Sequence, residues 1–530
     1  MAVFKRFGVM LDMSRNAVMR VDEVKKFISL VKKAGYDTLG LYLEDTYEIK
    51  GEKYFGYLRG RYTPAEIREI DAFALSVGVE VIPHIQTLAH LNTLKRHRAY
   101  SDIFDIDDVL LIDEPKTYDL IGKMFKTISE NFSSRVVNIG FDEAFGVGRG
   151  KYLDKHGFCD RYEILLRHLD KVCELAAKYG LKPCMWSDMF YRIACGEYAP
   201  ADIPDSVKKL VPENVGLCYW DYYHKDKEFY DKMFASHKSF GRETWFAGGA
   251  WSWFGFSPLG GQSLATMEPA IKSAVDNGID NVMITMWGDC GRECSFFSLI
   301  HILYAIRQFG YGNFDMQNIK RGFKETFGLD FDGFNTLDYP NYMSENFIMG
   351  DPINPARVIL YNDILSGVFD ANIAANPEIP YGVFAEKINK AKENAGEFAY
   401  IFETLYRLCN VLSKKQRIGI DLRAAYKSRD EKKLKELADK LDGVAQSVKD
   451  FHAAFRYQWF KENKPFGFEI HDVRLGGLIA RLSTCKTRVY DYLEGRIGKI
   501  EELEEEILPQ LDGKTLRSYS WSSLVSTGRI

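Results

Sequence analysis

A short run of apolar residues followed by a stretch of helical period recurs eight times in the first 310 residues. The apolar runs are Phe7–Leu11, Thr38–Leu43, Val79–Ile85, Val136–Phe141, Lys182–Trp186, Val215–Trp220, Thr244–Ala250 and Asn281–Trp287. Runs this short, with little polar alternation, are the mark of strands buried on both faces. Between them, Val24, Phe27, Ile28 and Val31 lie on one face of a helix, and Ile67, Ile70, Ala74 and Val77 on one face of another. Thr63-Pro64-Ala65-Glu66 reads as a capping box with proline at the first helical position. A third stripe, Leu165, Leu166, Leu169, Val172, Cys173 and Ala176, is closed by Gly180. Strands that alternate with helices run parallel and are joined by helical crossovers. Eight such units predict a (β/α)8 TIM barrel. A doubly wound open sheet is the alternative, but no Gly-x-Gly-x-x-Gly follows the first run.

A barrel of this kind carries its site at the carboxyl ends of its strands. Val136-Val137-Asn138-Ile139-Gly140-Phe141-Asp142-Glu143 is the most informative of these ends, because a buried strand finishes there in two adjacent carboxylates. Acidic side chains are seldom fully buried unless something pairs with them. Taken alone the pair could cap the next helix. The other strand ends add Asp12 and Arg15, Glu44 and Asp45, His84 and His90, and Trp186 and Asp188. They also add Tyr219 to Tyr223, Trp251 and Trp253, and Trp287 and Asp289. Each has an ordinary structural explanation. Together on one barrel face they describe a cup with charged groups for hydroxyls and aromatic walls for a sugar ring.

Composition narrows the classes. With 46% hydrophobic and 27% charged residues, the 530-residue chain has the make-up of a globular protein. A net charge of −4 and a pI near 6.3 give no polyanion-binding surface, so nucleic acid is not an expected partner. No run of 18 apolar residues occurs, and the amino terminus lacks the charged-then-apolar order of a signal peptide. The expectation is a cytoplasmic protein without membrane contact. The nine cysteines are scattered; Cys290 and Cys294 are four apart with no second pair at zinc-ligand spacing. No metal or cofactor is expected. After about Asn335 the β-branched runs thin out and long helical periods such as Leu434, Leu437, Leu441 and Val444 take over. This places a catalytic barrel at 1–335 and a mostly α-helical carboxy-terminal domain at 336–530. In that domain Glu-Glu-Leu-Glu-Glu-Glu at 501–506 reads as the solvated face of a helix. The paired glycines Gly476-Gly477, within an aromatic-rich stretch from Trp459, read as a site of close packing or a partner surface.

These motifs resemble those of the glycoside hydrolase family 20 β-N-acetylhexosaminidases, in particular compact bacterial forms without the usual amino-terminal domain. The resemblance covers the barrel, about residues 5–310, at motif level. Leu11-Asp12-Met13-Ser14-Arg15 is similar to the family's first-strand motif, whose arginine holds sugar hydroxyls. Glu44-Asp45 stands where the family has Asp-Asp, which implies hydroxyl binding by Glu44, with Asp45 as the alternate. Pro83 to His90 resembles Pro-Glu-x-Asp-x-Pro-Gly-His, keeping Pro83 and His90 but replacing the acids. Asp142-Glu143 matches the catalytic pair. Trp186 and Trp220 match walls of the acetamide pocket, and Met286-Trp287-Gly288-Asp289 resembles the last-strand motif, with Trp287 as floor and Asp289 as a hydroxyl ligand. Where the family places a tyrosine for the acetamide oxygen, this chain has Trp251-Ser252-Trp253. Either the Trp251 indole or the Tyr222 hydroxyl would serve.

The resemblance implies an exo-acting, retaining enzyme that removes terminal β-linked GlcNAc or GalNAc from an oligosaccharide or glycoconjugate. Glu143 would be general acid and then base, and Asp142 would steer the substrate's own acetamide through an oxazoline intermediate. A barrel glycosidase of other specificity, and a non-catalytic sugar-binding protein on a decayed barrel, are the alternatives. The joint presence of Asp142, Glu143, Arg15, Trp287 and Asp289 argues against the latter. A homodimer through the helical domain is one candidate arrangement.

Overall fold

The computed structural model describes residues 4–528; the first three residues of the amino-terminal stretch weighed above as a leader lie outside them. Eight strands close into a barrel in chain order, and every neighbouring pair, β8 with β1 included, is parallel. They are β1 (Arg6–Asp12), β2 (Thr38–Tyr42), β3 (Glu80–His84), β4 (Val136–Asn138), β5 (Lys182–Trp186), β6 (Gly216–Trp220), β7 (Thr244–Gly249) and β8 (Asn281–Met286). All eight coincide with the runs read from the sequence. The one substantial difference is β4, which ends at Asn138 instead of reaching Phe141. Gly140 and Phe141 have φ of 80° and 82°, and a strand cannot continue through left-handed residues.

Burial on both faces explains why the strands are apolar throughout. Every residue of β2, β7 and β8 is buried. One interior cluster joins Met10, Tyr42, Ile82, Trp186, Cys218, Trp245, Ala247 and Met283, with Trp220 and Trp287 packed against it while partly open. The crossover helices bury the stripes expected of them: Val24, Phe27, Ile28 and Val31 in Val21–Ala34, and Leu165, Leu169, Val172 and Ala176 in Arg161–Lys178. At Thr63 the capping box is complete, the side chain accepting from the Glu66 N–H while Glu66 accepts from the Thr63 N–H.

By their internal contacts the described residues form two compact units. The first holds residues 4–250 with Ser263–Trp287 and Ile302–Ile319. The second holds Trp251–Gln262, Gly288–His301 and residues 320–528. The second unit is helical, dominated by Ala399–Lys415, Glu431–Glu462 and Phe468–Leu493, and Leu434, Leu437, Leu441 and Val444 are buried in it as their spacing requires. The acidic run forms only the short helix Glu501–Glu504, with Leu503 buried and Glu501 and Glu502 paired to Arg488. Gly476 and Gly477 lie inside Phe468–Leu493, and a Cβ added at either meets nothing within 4 Å. Close packing among the described residues is therefore not what the glycine pair serves. Among the described residues no helix is long and apolar enough to cross a membrane.

Candidate active site at the carboxyl ends of the strands

Immediately beyond β2, β3 and β4 the backbone turns sharply. Glu44, His90, Phe141 and Glu143 have φ of 45°, 59°, 82° and 52°. Non-glycine residues rarely adopt this region, and holding one there costs on the order of 1–3 kcal/mol. Four in three neighbouring loops mark a place where the surrounding structure dictates side-chain direction. Gly140 makes one close approach feasible: a Cβ there would stand 2.0 Å from Gln86 Oε1. The Gln86 amide lies against this backbone, and its Nε2 donates to Asp142 Oδ1 at 2.8 Å and to the Tyr42 hydroxyl at 2.9 Å.

From this amide a polar chain runs both ways. Tyr42 donates its hydroxyl proton to Glu44 Oε1 at 3.1 Å, and Arg15 Nε lies 3.4 Å from the same oxygen. The turn that delivers Arg15 is held by Asp12, which accepts from the Ser14 N–H and hydroxyl at 2.8 and 2.7 Å. In the other direction His90 Nε2 lies 3.2 Å from Asp142 Oδ2 and 3.7 Å from Glu143 Oε2. Arg15, Glu44, His90, Asp142 and Glu143 are thus one connected group. Asp45, the alternate to Glu44, has its carboxylate engaged elsewhere, by Thr93 at 2.6 Å and Arg59 at 3.2 Å.

The environment sets the carboxylates apart. Burial works against charge on Asp142, but His90 and the Gln86 amide overcome it and hold the acid below its usual range. His90 is pushed the opposite way, up to about 10: burial opposes its charge and the Asp142 carboxylate more than compensates. Glu143 is raised, by burial first and by the Asp142 charge second. Glu44 is raised to about 6 by burial, with Arg15 moderating the effect. His84, the last residue of β3, is buried with its ring beside Trp186, and desolvation lowers it to about 3. It is a neutral core histidine.

Aromatic residues form a floor and a wall. Trp186, Tyr42 and Trp287 pack together, with Tyr42 edge-on to Trp287 at 4.8 Å and Trp186 at 6.0 Å from Trp287. Trp220, at the end of β6, stacks on Tyr222 at 5.6 Å and 21°. Trp251 and Asp289 follow β7 and β8 in sequence but belong to the second unit, where Trp251 stacks on Trp253 at 4.4 Å. The polar chain and the aromatic floor are built wholly from the first unit.

Two participants were absent from the sequence-derived set: Gln86, and Arg192, which donates to Asp188 beside the Glu143 N–H. Gln86 was detectable in principle, since it occupies the place of an acid in the Pro83–His90 motif and a neutral amide can still donate to Asp142. Asp188 stood among the strand-end residues but was given no role, and Arg192 carried no such signal. Among the described residues no group of three or more His, Cys, Asp or Glu side chains could hold a metal ion.

The arrangement offers one carboxylate held ionised beside one that retains its proton more readily, above aromatic faces. Comparison with known proteins is in keeping with it. Residues 4–232 match the model of the glycosyl hydrolase family 20 catalytic domain, and residues 332–520 that of the glycoside hydrolase 20C C-terminal domain. Human hexosaminidase D is 24% identical over 224 residues, which make up 40% of this chain and 44% of that protein. A β-hexosaminidase of Akkermansia muciniphila is 24% identical over 237 residues, 37% of this chain and 46% of the other. The chain thus spans less than half the length of either relative. A family 20 exo-β-N-acetylglucosaminidase of Vibrio harveyi, solved with N-acetylglucosamine, superposes with a TM-score of 0.48 at 17% identity, covering 63% of this chain and 58% of the other.

Proposed function

Because the chain belongs to glycoside hydrolase family 20, we propose that it removes terminal β-linked N-acetylhexosamine from a glycan with retention, by substrate-assisted catalysis. The observation that carries this reading is the unequal treatment of Asp142 and Glu143 by the polar chain that holds them. We read residues 1–335 as the catalytic barrel and 336–530 as a helical domain following it.

In the first step Glu143, protonated, gives its proton to the glycosidic oxygen as the bond to the anomeric carbon breaks. The substrate's acetamide oxygen attacks that carbon from the opposite face, forming an oxazoline-type ring. Family 20 differs in this from glycosidases that place a second carboxylate about 5–5.5 Å from the acid as nucleophile. Asp142, ionised, accepts the acetamide N–H and balances the positive charge that grows on the ring. In the second step Glu143 takes a proton from water, which opens the ring and restores the original configuration. Burial and a neighbouring anion keep Glu143 protonated at higher pH than a solvated glutamate, as a general acid requires. Arg15 and Glu44 are assigned to the sugar hydroxyls, Trp287 to the floor beneath the ring, and Trp186 and Trp220 to the acetamide methyl. His90 supports both acids. Tyr222, Trp251 and Asp289 complete the assignment, with Tyr222 or Trp251 taking the acetamide oxygen and Asp289 a hydroxyl.

The test compares aryl β-GlcNAc and β-GalNAc with the corresponding β-glucoside, which lacks the internal nucleophile. Hydrolysis confined to the acetamido sugars, and inhibition by a thiazoline mimic of the oxazoline, are expected. Equal cleavage of the glucoside, or indifference to the thiazoline, would exclude substrate assistance.

A further inference from the structure

Asp188 is 0% exposed, two residues past the end of β5 and at the start of the helix Asp188–Cys195. An acid in the first turn of a helix ordinarily serves that helix, as a cap or against its dipole. This one turns to other strands. Its Oδ2 accepts from the Glu143 backbone N–H at 3.1 Å and from Arg192 Nε at 3.2 Å, and its Oδ1 accepts from the Trp220 indole Nε1–H at 3.3 Å. A single carboxylate therefore ties together the ends of β4, β5 and β6.

Two of those partners are unusual choices. The Glu143 N–H belongs to a left-handed residue with φ of 52°, a conformation that persists only where its surroundings hold it. A hydrogen bond to a buried carboxylate is among the stronger holds a backbone N–H can receive. Trp220 is only partly buried, and its indole ring faces Tyr222 and Tyr198 at 5.6 and 4.9 Å. Arg192 supplies the compensating charge and lies over the Trp220 ring at 5.9 Å. With this geometry the direction of the Glu143 side chain and the seat of Trp220 depend on the same group.

We propose that Asp188 is a positioning residue for the reaction, holding Glu143 in its left-handed turn and Trp220 against the sugar pocket with one carboxylate. This rests on the reading of Glu143 as proton donor. Burial first, and the facing Asp142 charge second, raise Asp188 to about 7, while Arg192, the other charged group that faces it, opposes that rise. Only the ionised form offers acceptors to all three donors without a proton in the way. Protonation near neutral pH would free at least one of them.

The experiment compares wild type with Asp188→Asn on an aryl β-GlcNAc substrate between pH 5 and 9, with 5-fluorotryptophan incorporated for 19F NMR and the Trp220 signal assigned from Trp220→Phe. The expected result is a fall in kcat of at least ten-fold for Asp188→Asn. The wild-type Trp220 signal should titrate near pH 7, and this titration, with the acidic limb it imposes on kcat, should vanish in the variant. A purely structural role would lower the melting temperature and leave the shape of the pH profile as it was. A variant kcat within two-fold of wild type, or a Trp220 signal flat from pH 5.5 to 8.5, would overturn the proposal. The wild-type titration decides the matter even where the variant does not fold. An inactive wild type would instead remove the functional reading beneath it.

Discussion

Each unit buries a carboxylate, and the two are held in different ways. In the helical unit Glu293 has an arginine at each oxygen, Arg357 Nε at 2.9 Å and Arg474 Nη1 at 3.1 Å, with the Glu293 and Arg357 side chains 0% and 1% exposed. In the barrel unit Asp142 has no such clamp in its ring of partners; a neutral amide takes one oxygen and an imidazole lies by the other. The residue after it, Glu143, leaves 43% of its side chain open. Guanidinium groups stay charged at any ordinary pH, so the Glu293 cluster is fixed. An amide and an imidazolium that can itself titrate hold charge on Asp142 while leaving the neighbouring acid free to gain and lose a proton. Buried charge alone does not mark a site. What marks this one is a pair of adjacent acids whose proton affinities are driven apart, next to strained backbone at Phe141 and Glu143.

Four experiments would break or sharpen that contrast. The largest effect is expected for Glu143→Gln, which removes the proton but keeps the shape. Its kcat should fall about 10³-fold, the middle of the range for general acid–base catalysis, with a melting temperature close to wild type. Next is Arg357→Met, which leaves Glu293 buried with one arginine. Urea unfolding should show a loss of about 3–5 kcal/mol, the usual cost of breaking a buried ion pair, and a loss below about 1 kcal/mol would show that the cluster is not a clamp.

His90→Gln should act through pH. The folded pKa of His90 is about 10, above its unfolded value of about 6.5, so its pairing with Asp142 contributes fully below about pH 6.5 and is lost as pH rises through 10. Asp142 stays ionised across that window, because its own pKa is lowered. The stability gap between wild type and variant should therefore be widest near pH 6 and close toward pH 10. Urea midpoints at several pH values would reveal it, and a constant gap would contradict the pairing.

The smallest effects come from two glycines. Gly140→Ala puts a Cβ onto Gln86 at φ of 80° and should destabilise by more than about 1 kcal/mol. Gly477→Ala fills open space inside a helix and should stabilise by roughly 0.5–1 kcal/mol. Thermal unfolding of both would contrast a glycine that its turn requires with one that its helix does not.

The barrel was legible because its signal is local and repeated. Each strand announces itself in five or six residues, and each helix in an apolar stripe. The end of β4 was not, because Val136–Phe141 is apolar throughout and nothing in that pattern reveals that Gly140 and Phe141 turn left-handed. The site was legible where a motif places a residue near a strand end: Arg15, Glu44, His90 and the acidic pair fall into one connected group. Asp45 and Glu44, adjacent in sequence, could be separated only by their partners. Gln86 was passed over, and Asp188 was noted at its strand end without a role, because the value of each lies in what it touches. Trp251 and Asp289 sit at strand ends in sequence and are grouped with the helical unit by their contacts.

Sequence alone determined the period of the elements, hence a parallel barrel followed by helices, and it determined which chemical groups stand at the strand ends. Those are properties of neighbours a few residues apart. Tertiary structure decided the charge on each group and the direction in which it is held. Asp142 owes its ionisation to residues 56 and 52 positions earlier, and Glu143 its backbone hold to one 45 positions later. Desolvation and Coulomb attraction depend on distance through space, and no pattern along the chain records it.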